Sequence, residues 1–245
     1  MEIVLNAEKI GQIGFLPITN TLLVSWVVVI FLTIVSFLAT RKVSLVPSGI
    51  QNFFELVIGA GYDQVESLAH SRAKTFFPFV MTFFLFIVVG NWLGLFPGFG
   101  TIGFFEHING KTTFIPILRS ISADLNTTLA LALTSAVLTH YFALKYLGLG
   151  DYLKRWFTLN PIYLFVGLLE LVGEFTKIVS LSFRLFGNIF AGEVVLSTVS
   201  SIFAFIVPLP FYFLEIVVGF VQAAVFMMLT LVFMVLLSEK HGEEH

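Results

Sequence analysis

The stretch PIYLFVGLLELVGEFTKIVSLSFRLFGNIFAGEVVLSTVS, residues 161–200, is strongly apolar, yet it carries Glu170, Glu174, Lys177, Arg184 and Glu193. After Pro161 no proline occurs until Pro208. Asn160 followed by Pro161 is a helix start, a capping side chain and then the residue preferred at the first helical position. A helix over 161–200 would be roughly 60 Å long at about 1.5 Å per residue, twice the ~30 Å hydrocarbon core of a bilayer. Either it breaks, near Gly187 or Gly192, or it lies strongly tilted against something that satisfies its charges. The segment 211–237 can run about 40 Å by the same rise. With Pro208 and Pro210 near the turn, the two segments are expected to form a long antiparallel hairpin.

The rest of the chain is equally lipid-like. Of its 245 residues 58% are apolar and 11% charged, and thirty are Phe. Soluble domains carry roughly 25% charge. A mean hydropathy of +0.98 means more apolar surface than a core of this size hides. Thirteen Lys and Arg against fifteen Asp and Glu leave no basic surface, so nucleic acid is not an expected partner. Cysteine is absent, which removes disulfides, thiol nucleophiles and thiolate metal sites. No cofactor or metal is expected. The acidic start, Glu2 to Glu8, and the lack of a small-residue cleavage site after the first apolar run argue against a removable signal peptide.

Charge-free runs mark three ordinary spans, Ile10 to Thr40, Thr75 to Phe105 and Leu125 to Leu144. Between the first two, residues 47–74 carry Ile50, Phe53, Phe54, Val57, Ile58, Val65 and Leu68 at helical spacing, with Gln51, Glu55, Asp63 and Glu66 around the wheel. This connector is expected to be an amphipathic helix on the membrane surface, a plain solvated connector being the alternative. Placing 41–74, 145–160 and the C-terminus on one side gathers Arg41, Lys42, Arg72, Lys74, Lys145, Lys154, Arg155 and Lys240 there, against Lys9, Lys111 and Arg119 on the other. The excess puts the C-terminus in the cytoplasm and the N-terminus outside. The expected fold is therefore an all-α integral membrane protein with five transmembrane helices, one membrane domain over 1–245, made of a span within 1–40, the connector 47–74, two spans within 75–145 and the hairpin 161–238.

Within that hairpin, Glu193 opposite Glu215 and Arg184 opposite Gln222 demand nearly one register, which centres the turn near residue 204. Arg184 and Asn188 share a face, as do Glu215 and Gln222. Arg184 and Glu193, nine residues apart, lie on nearly opposite sides of their helix and about 13 Å apart along it, so they do not pair. A guanidinium at mid-membrane costs about 2.5–3.5 kcal/mol on insertion scales and cannot deprotonate. Its helix supplies no counter-charge, so a carboxylate from elsewhere is expected; snorkelling or backbone carbonyls are the structural alternatives. Glu193 and Glu215 side by side would repel if both were ionised, which suits a proton relay, the alternative being a wetted pair at the membrane rim. Glu170, Glu174 and Lys177 fit a neutralised stripe near the cytoplasmic surface.

The run Ser182-Phe183-Arg184-Leu185-Phe186-Gly187-Asn188-Ile189-Phe190-Ala191-Gly192-Glu193 resembles the signature of subunit a of F-type ATP synthases, the membrane stator facing the rotor ring of c subunits. Pro47-Ser48-Gly49-Ile50-Gln51-Asn52, Asn91-Trp92-Leu93-Gly94-Leu95, Ser122-Ala123-Asp124-Leu125-Asn126-Thr127-Thr128-Leu129 and Gln222-Ala223-Ala224-Val225-Phe226 extend the resemblance in the family's order. The length and C-terminal tail look like the bacterial version. The resemblance implies that Arg184 is the essential arginine, Asn188 its neighbour, Gln222 the glutamine facing it, and Glu193 and Glu215 the half-channel positions. The place of Glu215 is a His in one well-known bacterial pattern, and a carboxylate there can still pass protons. The implied function is to provide two offset ion half-channels and the arginine that couples proton flow to ring rotation. ATP chemistry happens in another subunit, so this chain has no catalytic site of its own. The implied partners are the c-ring, peripheral-stalk b subunits, the F1 sector and the lipid of a bacterial inner membrane.

A secondary transporter would also place ionisable groups at mid-membrane, but the chain shows no internal repeat or matched broken helices. A passive cation channel conflicts with an uncompensated Arg. His241-Gly242-Glu243-Glu244-His245 fits a metalloprotease spacing, but in a soluble tail with no following helix it is accidental. Asn91, Asp124, Asn126 and His140 are secondary channel candidates near membrane edges or inside spans; Asp124 and Asn126 equally suit the cap of the third span. Gly90 and Gly94 have the spacing of close helix packing, or of chance.

Overall fold

The computed structural model describes residues 9–14, 16–41, 49–96, 102–108, 111–156, 161–202 and 206–239. Six helices dominate: α1 (Asn20–Thr40), α2 (Ile50–Ala69), α3 (Ala73–Gly94), α4 (Leu125–Trp156), α5 (Pro161–Ile202) and α6 (Pro208–Ser238). Two short antiparallel hairpins accompany them, β1 (Lys9–Ile13) with β2 (Leu16–Thr19) and β3 (Gly103–Ile108) with β4 (Lys111–Pro116). Asn160, the expected cap of α5, Pro47, and the tail from Lys240 with its His241–His245 spacing lie outside the described residues.

Among the described residues, four stretches are long and apolar enough to cross a membrane: Asn20–Thr40, Gln51–Gly94, Leu125–Lys154 and Pro208–Ser238. The second runs through both α2 and α3. The fifth long helix, α5, is interrupted in composition only. Its 42 residues are continuous through Gly187 and Gly192, so the expected alternatives resolve in favour of an unbroken helix of about 63 Å. A helix that long crosses a bilayer only when tilted.

Two expected spans are shorter than their charge-free runs. The first helix starts at Asn20 because residues 9–19 turn back as a hairpin, and Thr19 caps α1 through its hydroxyl on the Leu22 N–H. The second ends at Gly94, beyond which 103–116 fold as the other hairpin. Charge-free composition suits a short β-hairpin as well as a helix end, which is why the runs overshoot. The third helix continues past Leu144 to Trp156, broken at Gly148, whose φ of +78° is one that glycine adopts without steric penalty.

Helix α2 ends at a 3₁₀ turn, His70–Arg72, and folds back on α3. Its Gly61 seats Met81 and Phe77, and the Tyr62 and Phe77 rings meet edge-on at 5.3 Å. Its Asn52, Glu55, Asp63 and Glu66 are exposed, whereas Val65 and Ala69 enter a core with Phe76, Val80, Phe142, Met227 and Leu231. A second core, Phe83, Ile87, Ala132, Leu181, Leu185, Ala223 and Phe226, joins α3, α4, α5 and α6. Helix α6 thus packs in the middle of the bundle, against α3, α4 and α5. Buried hydroxyls tie the helices together, Thr128 to Ser182 at 3.1 Å and Ser135 to Thr230 at 2.8 Å.

Gly90 and Gly94 do allow close packing, but of a connector and not of a second helix. Side chains there would collide with Ile121 and Ser120, so the pair seats the segment that leads into α4.

Candidate functional site

The site is built on the α5–α6 hairpin. Arg184 lies in the middle of α5, about 60° and 100° round the helix from the core residues Leu181 and Leu185, and is itself exposed. Ser180, Phe183, Arg184, Gly187, Asn188, Ala191 and Val195 form a continuous exposed face. Gly187 and Ala191 keep it low, and a side chain added at Gly187 would meet open space. Among the described residues, no hydrogen bond or ion pair reaches Arg184. Gln222 on α6 is half-buried.

The hairpin register follows the polar groups. The carboxylate of Glu215 lies directly against Gly192, where an added Cβ would overlap it. That contact falls between the two registers demanded by pairing Glu193 with Glu215 and Arg184 with Gln222. Glu215 is 4% exposed and its Oε1 has no hydrogen-bond partner. Glu193 is turned the other way, with Oε2 3.9 Å from Nε of Arg119. It follows directly on Gly192, the residue against which Glu215 lies.

Arg119 is the residue that sequence reasoning missed. It is 9% exposed, and its Nη2 donates to the Ala123 carbonyl at 3.4 Å. In the sequence it counts only as one of three basic residues on the outer side. Its partner is 74 positions away, and no periodicity links a connector residue to a helix face, so no local signal could have found the pair.

The secondary candidates fall into two groups. Asn91, 3% exposed, accepts from Ser122 at 2.6 Å and donates to the Gly219 carbonyl at 3.3 Å, linking α3, the connector and α6 beside Glu215. Trp92 Nε1 adds a bond to the Ile216 carbonyl at 3.0 Å. Asp124 caps α4: one oxygen accepts from the Asn126 backbone N–H at 3.2 Å and its side chain at 3.4 Å, the other from Thr127 at 3.2 Å and Thr21 of α1 at 3.1 Å. His140 stands apart, midway along α4, with Nδ1 3.0 Å from the Tyr152 hydroxyl and its ring near Trp156. Glu174 is buried against Lys177 at 2.5 Å, and Lys177 lies over the Phe233 ring, as a neutralised stripe requires.

The arrangement can do two things chemically. It presents one permanently cationic group outward, with no anion paired to it among the described residues, and it holds two carboxylates at the α5–α6 contact near the end of the bundle that carries the hairpins. Both patterns suit the passage of a charge along a helix pair.

Comparison with known proteins gives the same answer. The family model described as ATP synthase A chain matches residues 22–235. ATP synthase subunit a of Citrifermentans bemidjiense is 35% identical over 231 residues, 92% of this chain and 91% of the relative. That of Moorella thermoacetica is 32% identical over 225 residues, 92% and 93% of the two chains, and that of Geobacter sulfurreducens 35% over 212 residues, 85% and 83%. With the signature residues on the α5–α6 hairpin and relatives matched over nearly their whole length, the chain belongs to the ATP synthase A chain family, the ion-translocating stator subunits of the bacterial F-type enzyme.

Proposed function

We propose that Arg184 is the point at which a rotor carboxylate gives up its ion, and that Glu193 and Glu215, with Asn188 and Gln222, carry ions between that point and the outer surface. A ring carboxylate crosses lipid only when neutral, and beside a guanidinium it is stabilised as an anion. Release is therefore favoured opposite Arg184. Because the guanidinium cannot deprotonate, it also bars direct passage of cations between the two half-channels, so ions cross by riding the ring. A membrane potential supplies about 2.3 kcal/mol per charge per 100 mV, enough to bias rotation in one sense.

The observation that carries this reading is the exposed Arg184, without a partner among the described residues, on a face kept low by Ser180, Gly187 and Ala191. A second chain can approach such a face closely, and a c-ring helix bearing a carboxylate is the partner it suits. Peripheral-stalk b subunits and the F1 sector complete the assembly in a bacterial inner membrane. The bias of Lys and Arg places the C-terminus in the cytoplasm and the N-terminus outside. The end bearing Arg119, Glu193 and Glu215 then faces outward, with Asn91, Asp124 and Asn126, while His140 lies toward the cytoplasm. The α2 connector, with its exposed acidic and amide face, borders the cytoplasmic surface.

The test is Arg184→Ala in an otherwise assembled complex. Loss of both ATP synthesis and ATP-driven pumping is expected; normal coupled pumping would defeat the reading.

A further inference from the structure

Arg119 takes no part in this ion path, although the fold gives it a buried place beside one of the two carboxylates. Those carboxylates flank Gly192 in unlike settings. Glu193 has a guanidinium at 3.9 Å. Glu215 sits in the gap left by the missing side chain of Gly192, with one oxygen unpartnered. Among the described side chains, the titratable or charged groups packed around them are Arg119 and Asp124 from the connector, Glu193 from α5 and Glu215 from α6. Both oxygens of Asp124 are taken by Thr21, Asn126 and Thr127. The facing side chains of α1 and α3, Asn20, Thr21 and Asn91, are neutral, and Lys9 and Tyr212 at the same end are exposed.

We infer that Arg119 is a positioning residue for ion translocation: tethered to the Ala123 carbonyl, its guanidinium turns Glu193 toward the connector and favours its charged form, which biases the exchangeable proton toward Glu215. Two nearby carboxylates with equal surroundings share one proton and titrate as a pair. A cation that cannot deprotonate, placed against one of them, removes that equivalence. The tether to Ala123 matters because it fixes the cation on the connector, away from Gly192. Glu193 is then held less ready to take the proton than it would be without Arg119, and Glu215 is the favoured carrier of the two. This inference rests on the reading of Glu193 and Glu215 as the outer half-channel.

The test uses the whole ATP synthase reconstituted in liposomes, with proton conduction measured after removal of F1 while the outer pH is varied. Arg119→Gln is expected to shift the profile to higher pH by about one unit or more, the low end of what a neighbouring guanidinium does to a carboxylate. Arg119→Lys, which keeps the charge, is expected to hold the wild-type profile. In a Glu193→Gln background, Arg119→Gln should add nothing. A wild-type profile for assembled Arg119→Gln overturns the inference, as does a shift that persists in the Glu193→Gln background. If Arg119→Gln does not assemble because a buried carboxylate is left alone, the double replacement that removes both charges should assemble; its failure also overturns the inference. Arg184→Ala in matched vesicles that retain F1 separates the two levels. Its loss of coupling beside an unshifted Arg119→Gln profile removes this inference alone, whereas its coupled pumping removes the reading beneath.

Discussion

Replacing Gly192 by alanine places a methyl group on the Glu215 carboxylate, overlapping all three of its terminal atoms. The backbone of α5 has little freedom to recede, because Ile189 and Leu196 on either side are buried. The carboxylate must therefore retreat by more than an ångström to reach ordinary contact at about 3.5 Å. It is the far end of a flexible side chain, so the retreat costs only about 0.5–1.5 kcal/mol of rotamer strain. Assembly and thermal stability of the complex should change little. Proton transfer, in contrast, needs heavy atoms within about 2.6–3.2 Å of one another. Conduction through F1-stripped vesicles should fall roughly tenfold or more, since displacements near 1 Å already cost up to about 10²-fold in oriented reactions. Adding Glu215→Asp, one methylene shorter, should restore part of the flux by withdrawing the carboxylate from the new methyl. Wild-type conduction by an assembled Gly192→Ala complex would refute the placement of Glu215 in the proton path.

Glu215→Gln should slow translocation with less effect on assembly, and a proton flux matching wild type across pH would remove Glu215 from the relay. Asp124→Ala should destabilise the subunit by about 1–3 kcal/mol, by losing the α4 cap and leaving the buried Thr21 hydroxyl without its acceptor. Asp124→Asn should lose less; thermal denaturation of the purified complex reads both, and equal effects would contradict the capping role.

The hairpin was legible in the sequence because its information is long-range in a simple way. Two antiparallel helices of known rise align polar residues by position alone, and the Gly192–Glu215 contact lies within one residue of both expected pairings. The isolation of Arg184 was legible for the same reason, since nothing acidic stands within a turn of it. The hairpins of 9–13 with 16–19 and of 103–108 with 111–116 were not, because stretches this short have no period that separates strand from helix end. Nor was the Arg119–Glu193 pair, which depends on how Gly90 and Gly94 seat the connector on α3. Asp124 and Asn126 carried two readings at once, and the bonds of Asp124 to the first turn of α4 identify it as a cap.

The central claim is that the permanent charge at position 184 has no anion within its own chain and borrows one from a moving neighbour. A structure of the whole enzyme in lipid, resolved in several rotational states, measures this directly. The account predicts that any carboxylate within about 4 Å of the guanidinium, the reach of an ion pair, belongs to the ring and changes from state to state. A carboxylate of this chain paired with Arg184 in every state would contradict it.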